Sequence, residues 1–305
     1  MANGALYGTL RGAWVDALAA RPRQKSKRRR GAGSGQFRYF ESEAGWIRYY
    51  DSGGNKPPLM TAPDGPCAIE HYAELIRDLS GQFRVICLDM PGNGFSFPAI
   101  GYGFGLEQTS NMLLELLDHL QVDRTILAFT CANSLFAINL VQRFPQRVTH
   151  LVLAQIPSLA GMLDWKRYNI PRPLTVPVLG QCLGKLWKYK LASGWFSLAL
   201  PRQSEFKPDL RQQALAALQG GGCFCLSSLV QAASHYREAQ LLGVECPVLM
   251  VYGDQDYSHR HSRFESLRET IPQARLIAYP GCGHFPNLER REDYVRDLKG
   301  FVMEY

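Results

Sequence analysis

From residue 36 to the C-terminus, the apolar positions alternate between two periods. Residues 36–41 and 46–51 are short, aromatic-rich runs alternating about residues 43–45, the pattern of a β-hairpin. Residues 58–61 make a brief apolar strand, followed by a Gly/Pro turn and a helical stretch over 69–79. Residues 83–88 (FRVICL) are apolar on both faces, as a strand buried in a parallel sheet must be. Leu113, Leu116, Leu117 and Leu120 recur at helical spacing within 106–120. A second buried strand over 125–129 leads to a helix over 135–144. Strands over 148–154, 248–252 and 274–278 complete the set, and a helix over 293–302 closes the chain. Strands that alternate with helices predict the α/β class, a mostly parallel sheet covered on both faces.

Two stretches stand outside this alternation. Residues 157–239 hold no strand-like run but carry Trp165, Tyr168, Trp187, Tyr189, Trp195 and Phe196, which predicts a helical insertion after the strand at 148–154. Residues 1–20 have the pattern of a short amphipathic helix, ended by Pro22 and the basic run from Lys25 to Arg30. Residues 1–35 therefore read as a basic flexible tail that is solvated, touches an acidic surface or serves in targeting. The core is expected in two pieces, 36–156 and 240–305, with 157–239 as a helical lid.

Composition changes little in this picture. The chain has 305 residues, 46% hydrophobic and 20% charged, which is globular and not disordered. No apolar run is long enough to span a membrane. The formal charge of +7 comes from residues 1–36, where eight basic side chains face Asp16 alone; the remainder carries equal numbers of each sign. A neutral body supports no nucleic-acid partner. The eight cysteines are scattered and form no C-x-x-C pair, so they read as reduced thiols in a cytoplasmic protein. No cofactor is implied, because no phosphate-cradling glycine loop occurs. His259 and His261 have poor spacing for a metal, and none is expected.

Ligands of an open parallel sheet bind at the carboxyl ends of its strands, so the chemistry should lie there. Four segments stand out: Pro63-Asp64-Gly65-Pro66, Cys131, Asp256 and His284. Three segments carry a likeness. Asp89-Met90-Pro91-Gly92-Asn93-Gly94-Phe95-Ser96 reads as D-x-P-G-x-G-x-S, Gly253-Asp254-Gln255-Asp256 as G-x-x-D, and Gly281-Cys282-Gly283-His284 as G-x-G-H. On these motifs the chain from residue 36 resembles the α/β-hydrolase fold superfamily, in particular its lid-bearing, epoxide-hydrolase-like branch. The resemblance implies a nucleophile at Cys131, an orienting acid at Asp256 (with Asp254 as rival) and a base at His284. Where the family carries G-x-S-x-G, Phe129 and Asn133 replace both glycines. Asn133 is expected to tolerate a left-handed backbone, whereas Phe129 should crowd the neighbouring strand. The oxyanion donors implied are the backbone N–H groups of Ala132 and Gly65, the latter where the family has H-G-x-P.

A thiol beside an imidazole can work as a Cys–His pair through a thioester. The expected function is hydrolysis of an ester, lactone or thioester through a Cys131–His284–Asp256 triad. The alternatives are an acyltransferase or cyclase using the same intermediate, and a catalytically degenerate binding protein. Between residues 157 and 207, eight cations face two acids among aromatic side chains. That suits an apolar small-molecule acyl substrate with an anionic group, whether free, carrier-linked or linked to coenzyme A. The oligomeric state is not legible.

Overall fold

The computed structural model describes residues 2–29 and 36–304, with side chains from Thr9 onward. The strands are β1 (Phe37–Ser42), β2 (Gly45–Asp51), β3 (Pro58–Ala62), β4 (Arg84–Leu88), β5 (Asn93–Gly94), β6 (Phe97–Pro98), β7 (Thr125–Thr130), β8 (Val148–Ala154), β9 (Cys223–Phe224), β10 (Val248–Gly253) and β11 (Arg275–Tyr279). The main sheet runs β1-β2-β4-β3-β7-β8-β10-β11, with β6 on β2. It is antiparallel at the β1–β2 and β2–β4 pairs and parallel from β4 through β11. The wholly buried TILAFT run of β7 lies at its centre, as a two-sided apolar strand requires.

The helices are α1 (Ala2–Arg29), α2 (Ala73–Ser80), α3 (Leu106–His119), α4 (Ala132–Arg143), α5 (Leu159–Asn169), α6 (Leu179–Leu186), α7 (Lys188–Ala199), α8 (Phe206–Gln219), α9 (Leu226–Ala233), α10 (Leu267–Thr270), α11 (Pro286–Glu289) and α12 (Arg291–Glu304). One core lies between the sheet and α3, α4 and α10; the other lies under α2 and α12. Helices α5 to α9 form the insertion between β8 and β10. One detail departs from expectation: the insertion contains β9, which pairs with β5. Two residues are too few to show a periodic pattern.

The N-terminal segment is the larger correction. Helix α1 runs through Pro22 and takes in the basic run as far as Arg29. A proline inside a helix costs roughly 3 kcal/mol, so tertiary contacts must offset it. Ala13, Ala17 and Ala20 are buried along one stripe. Asp16 accepts from Lys185 Nζ (2.9 Å) and Ser228 Oγ (2.7 Å), and Arg23 Nη1 donates to the Gly222 carbonyl at 2.9 Å. The cations at its end also have partners: Lys27 lies over the Phe95 ring, and Arg28 lies over Trp46 while pairing with Glu41. This segment is therefore a docked helix and not a solvated tail; the glycine link that follows lies outside the described residues.

The turn 89–96 sets the floor on which the candidate site stands. Asp89 is wholly buried and accepts from Arg48 Nε (2.7 Å), Ile69 N (2.9 Å) and Phe95 N (2.8 Å). A Cβ on Gly94, whose φ is +50°, would sit 2.4 Å from that carboxylate, so the turn closes only around glycine. From the same turn Asn93 Nδ2 donates to the Cys67 carbonyl at 2.9 Å, tying it to the loop that carries Asp64 and Gly65. Removing one partner of a buried ion pair costs about 3–5 kcal/mol, and Asp89→Ala would leave Arg48, 3% exposed, with only the half-exposed Glu70. A urea titration of Asp89→Ala is therefore expected to show a loss of that order; a loss below 1 kcal/mol would contradict this role.

Candidate active site

Strand β7 passes into helix α4 through Cys131, whose backbone has φ +48° and ψ −130°. A non-glycine residue there is strained, and such strain persists where the surrounding structure over-determines it. Here Cys131 N donates to the Ala154 carbonyl (2.8 Å), and Ser134 Oγ donates to the Phe129 carbonyl (3.1 Å). The left-handed residue is thus Cys131 itself. Asn133 is helical, and its Nδ2 donates to the Pro63 carbonyl at 3.1 Å, so it braces the neighbouring loop instead of supplying a turn. Phe129 is wholly buried, with small Ala62 opposite it on β3 and Leu153 on β8.

The acid and the histidine meet the elbow from β10 and the loop after β11. His284 Nδ1 lies 2.5 Å from Asp256 Oδ2. The same carboxylate accepts from Gln155 Nε2 (2.9 Å) and Ser258 N (2.8 Å). Gln155, itself at φ +55°, directly follows β8 and also accepts from Gly253 N at 2.9 Å. Its signal in the sequence is a lone polar residue at a strand's carboxyl end. Trp195 of α7 stands edge-on to the His284 ring (4.9 Å, 80°), and His259 stacks on it (5.4 Å, 23°). Asp254 instead accepts from Gly281 N at 2.7 Å, so Asp256 alone of the two faces the imidazole.

A second carboxylate closes the other side of the ring. Asp64 Oδ2 lies 3.2 Å from His284 Nε2. Ionised carboxylates only accept, so a ring bonded to one at each nitrogen carries a proton on both. Burial of His284 works against that charge, but the Asp256 carboxylate, with Asp64 at the other nitrogen, raises its affinity for protons well above an ordinary histidine's. Burial in turn presses on Asp256, yet the imidazolium holds its carboxyl below the usual range. Burial and the Asp64 charge push the Cys131 thiol up to about 11, against the opposing pull of His284. The resting arrangement is therefore a neutral thiol beside an imidazolium. His259, buried and facing that cation, is pushed down to about 3 and stays neutral.

The donor atoms of Asp64, Cys131 and His284 lie within 4.8 Å of one another, as do those of Asp256, His259 and His284. Either trio could hold a metal ion only by displacing the proton that the shared ring shares with a carboxylate. Asp64, Gly65, Cys131 and Ala132 line a cavity of about 470 Å³, with His284 wholly buried beside them. Phe104, Phe136, Met162, Trp165, Trp195 and Leu229 are among its apolar walls, and Lys166 and Lys190 bring cations. Asn93 Oδ1, also at the cavity, is buried with no donor among the described residues. A Cβ at Gly65 would approach the Phe224 ring to 3.1 Å, so the loop lies close under the insertion.

Residues 65–291 match the sequence model of the alpha/beta hydrolase fold family. The chain belongs to that family. The 2-hydroxy-6-oxo-2,4-heptadienoate hydrolase of Pseudomonas putida is 32% identical over 276 residues, 83% of this chain and 91% of that protein. The pimeloyl-[acyl-carrier protein] methyl ester esterase of Nitrosomonas europaea is 24% identical over 267 residues, 81% of this chain and 96% of its own. Among solved structures, epoxide hydrolase A from Mycobacterium thermoresistibile superposes with a TM-score of 0.73 at 14% identity, covering 88% of this chain and 98% of that one.

Since the Cys131 thiol is pushed up to about 11, its thiolate fraction, and with it alkylation by iodoacetamide, should climb about tenfold per pH unit through pH 7 to 10. Peptide-level mass spectrometry separates Cys131 from the other thiols. In Asp64→Asn the climb should begin at lower pH, because an anion beside the sulfur is gone and Nε2 is free to face it. A wild-type midpoint at about pH 8.5, as for an ordinary thiol, would refute the assignment.

Proposed function

We propose that this protein is a hydrolase of apolar esters, lactones or thioesters that works through an acyl group on Cys131. The observation that carries the reading is the strained backbone of Cys131, which holds a thiol at the floor of the cavity within 4.8 Å of His284 and Asp64. The relatives named as a methyl ester esterase and as a 2-hydroxy-6-oxo-2,4-heptadienoate hydrolase support a hydrolase reading. All eight cysteines are free, which supports residence in a reducing cytoplasm.

In this scheme the substrate carbonyl lies over Cys131, its oxygen toward the N–H groups of Ala132 and Gly65. Asp64 takes the Nε2 proton, and the bare Nε2 then accepts the proton of the thiol. Sulfur bonds to the carbonyl carbon, the bond to the leaving oxygen or sulfur breaks, and His284 returns a proton to the leaving group. Water, deprotonated by the same ring, then cleaves the thioester; the acid departs, the ring returns that proton to the sulfur, and Asp64 gives back the Nε2 proton. Asp256 keeps the ring oriented throughout, with Gln155 and Ser258 fixing the carboxylate. Residues 157–239 act as a lid, and Asn93 Oδ1 is placed to accept an N–H or O–H of the substrate. A cation at the lid, Lys190, suits an anionic group on a free, carrier-linked or coenzyme-linked acyl substrate.

Acyl transfer is the second reading, favoured by one feature. The walls around the thiol are largely apolar, which would slow water more than an acceptor delivered with the substrate.

Incubation with a short-chain aryl ester and an aryl thioester, followed by intact mass, tests both. The hydrolase reading predicts a transient adduct on Cys131, absent in Cys131→Ala, with turnover falling at least about 10³-fold. An adduct that survives until an amine or thiol is added would instead favour transfer. Equal turnover by wild type and Cys131→Ala would end the proposal.

A further inference from the structure

Helix α6 is built inside out. A surface helix normally turns its apolar stripe to the core. Here Leu179, Cys182 and Leu186, at spacings of three and four, are exposed, Leu186 by 73%. The inward positions are Gly180, Gln181 and Gly184. Gln181 is 1% exposed; its Nε2 donates to Ser228 Oγ (3.0 Å) and Gln231 Oε1 (2.9 Å), and its Oε1 accepts from Val178 N (2.8 Å). A Cβ on Gly180 would lie 2.3 Å from the Leu174 carbonyl, so this orientation is locked by close packing. The apolar face continues through exposed Val176 and Val178 before the helix and through Trp187 and Tyr189 after it.

Two further observations bear on what covers that face. From residue 165 to residue 204 there is no carboxylate, while Lys166, Arg167, Arg172, Lys185, Lys188, Lys190 and Arg202 are all present. Lys185 is taken by Asp16; Lys188 stands over the Tyr189 ring at 4.6 Å, at the edge of the apolar surface, and its Nζ also donates to the Leu218 carbonyl at 3.4 Å. In addition, Trp187 and Lys190 are exposed and also line the cavity, so the face reaches the cavity's mouth.

We propose that this face docks on a bilayer that carries anionic headgroups, with the cavity opening toward the lipid. The leucines and valines would enter the acyl boundary, Trp187 and Tyr189 would lie at headgroup depth, and the lysines would meet phosphate. An acidic carrier protein would pair the cations but leave Leu179 and Leu186 facing water. A second copy seated on the same face would set lysines against lysines, because a two-fold contact opposes each patch with itself. The bilayer alone satisfies both the apolar stripe and the charge. This inference stands apart from the chemistry at Cys131.

Sedimentation of the full chain with vesicles of phosphatidylcholine alone, or mixed with phosphatidylglycerol, tests the proposal. Wild type is expected to pellet with the mixed vesicles and to be released by high salt. Leu179→Gln with Leu186→Gln should weaken that binding at least about tenfold while leaving turnover of a water-soluble aryl ester unchanged, which also shows that the variant folds. Arg172→Glu with Lys188→Glu should abolish the preference for anionic lipid. Wild type that stays in the supernatant with both vesicles would overturn the proposal. So would a double leucine variant that pellets like wild type, or a dimer of wild type in solution that the leucine substitutions split.

Discussion

The site is organised around one buried imidazole between two carboxylates. Removing a charged ring from water is expensive, and His284 tolerates it only because Asp256 and Asp64 face its two nitrogens. Much of the surrounding architecture serves that arrangement. Gln155 and the backbone of Ser258 fix one carboxylate; the loop after β3, braced by Asn93 and Asn133, positions the other. The turn around Asp89 in turn holds Asn93. The same charge pattern sets the state of Cys131, because an anion beside sulfur opposes a second anion forming there.

Much of the fold was legible because its signals are local and repeated. Two-sided apolar strands such as β7 alternate with helices of 3.6 period, and three short motifs occur in the right order at strand ends. Those motifs also point to Cys131, Asp256 and His284, which do converge. What could not be read depends on contacts distant in sequence. Asp64 meets His284 across 220 positions, and nothing in the tetrapeptide around it shows which way its carboxylate turns. Pro22 and the basic run obey a local rule for ending a helix, yet buried alanines, Asp16 and Arg23 on the insertion outweigh it in α1. Position 133 differs from expectation for a related reason: the family pattern marks it as a glycine site, but here the strain falls on Cys131 and the asparagine bonds the Pro63 carbonyl.

The insertion links the chemistry to its surroundings. Trp195 of α7 touches the imidazole, and the backbone of His284 donates to the Ala199 carbonyl at 2.9 Å at the end of that helix. Trp187 and Lys190 begin the same helix at the cavity mouth. One element thus spans from the exposed apolar face to the buried ring. Helix α1, resting on α6 and α9 through Asp16, bears on the same assembly.

The protonation of His284 is the point on which the account turns, and long-range ¹H–¹⁵N correlation of its ring reads it directly. With a proton affinity raised well above the ordinary value of 6.5, both ring nitrogens should keep the imidazolium signature well above that pH in wild type, and lose it at lower pH in Asp64→Asn. A wild-type ring that titrates at or below pH 6.5, with one nitrogen bare at neutrality, would contradict the two-carboxylate clamp and the neutral thiol derived from it.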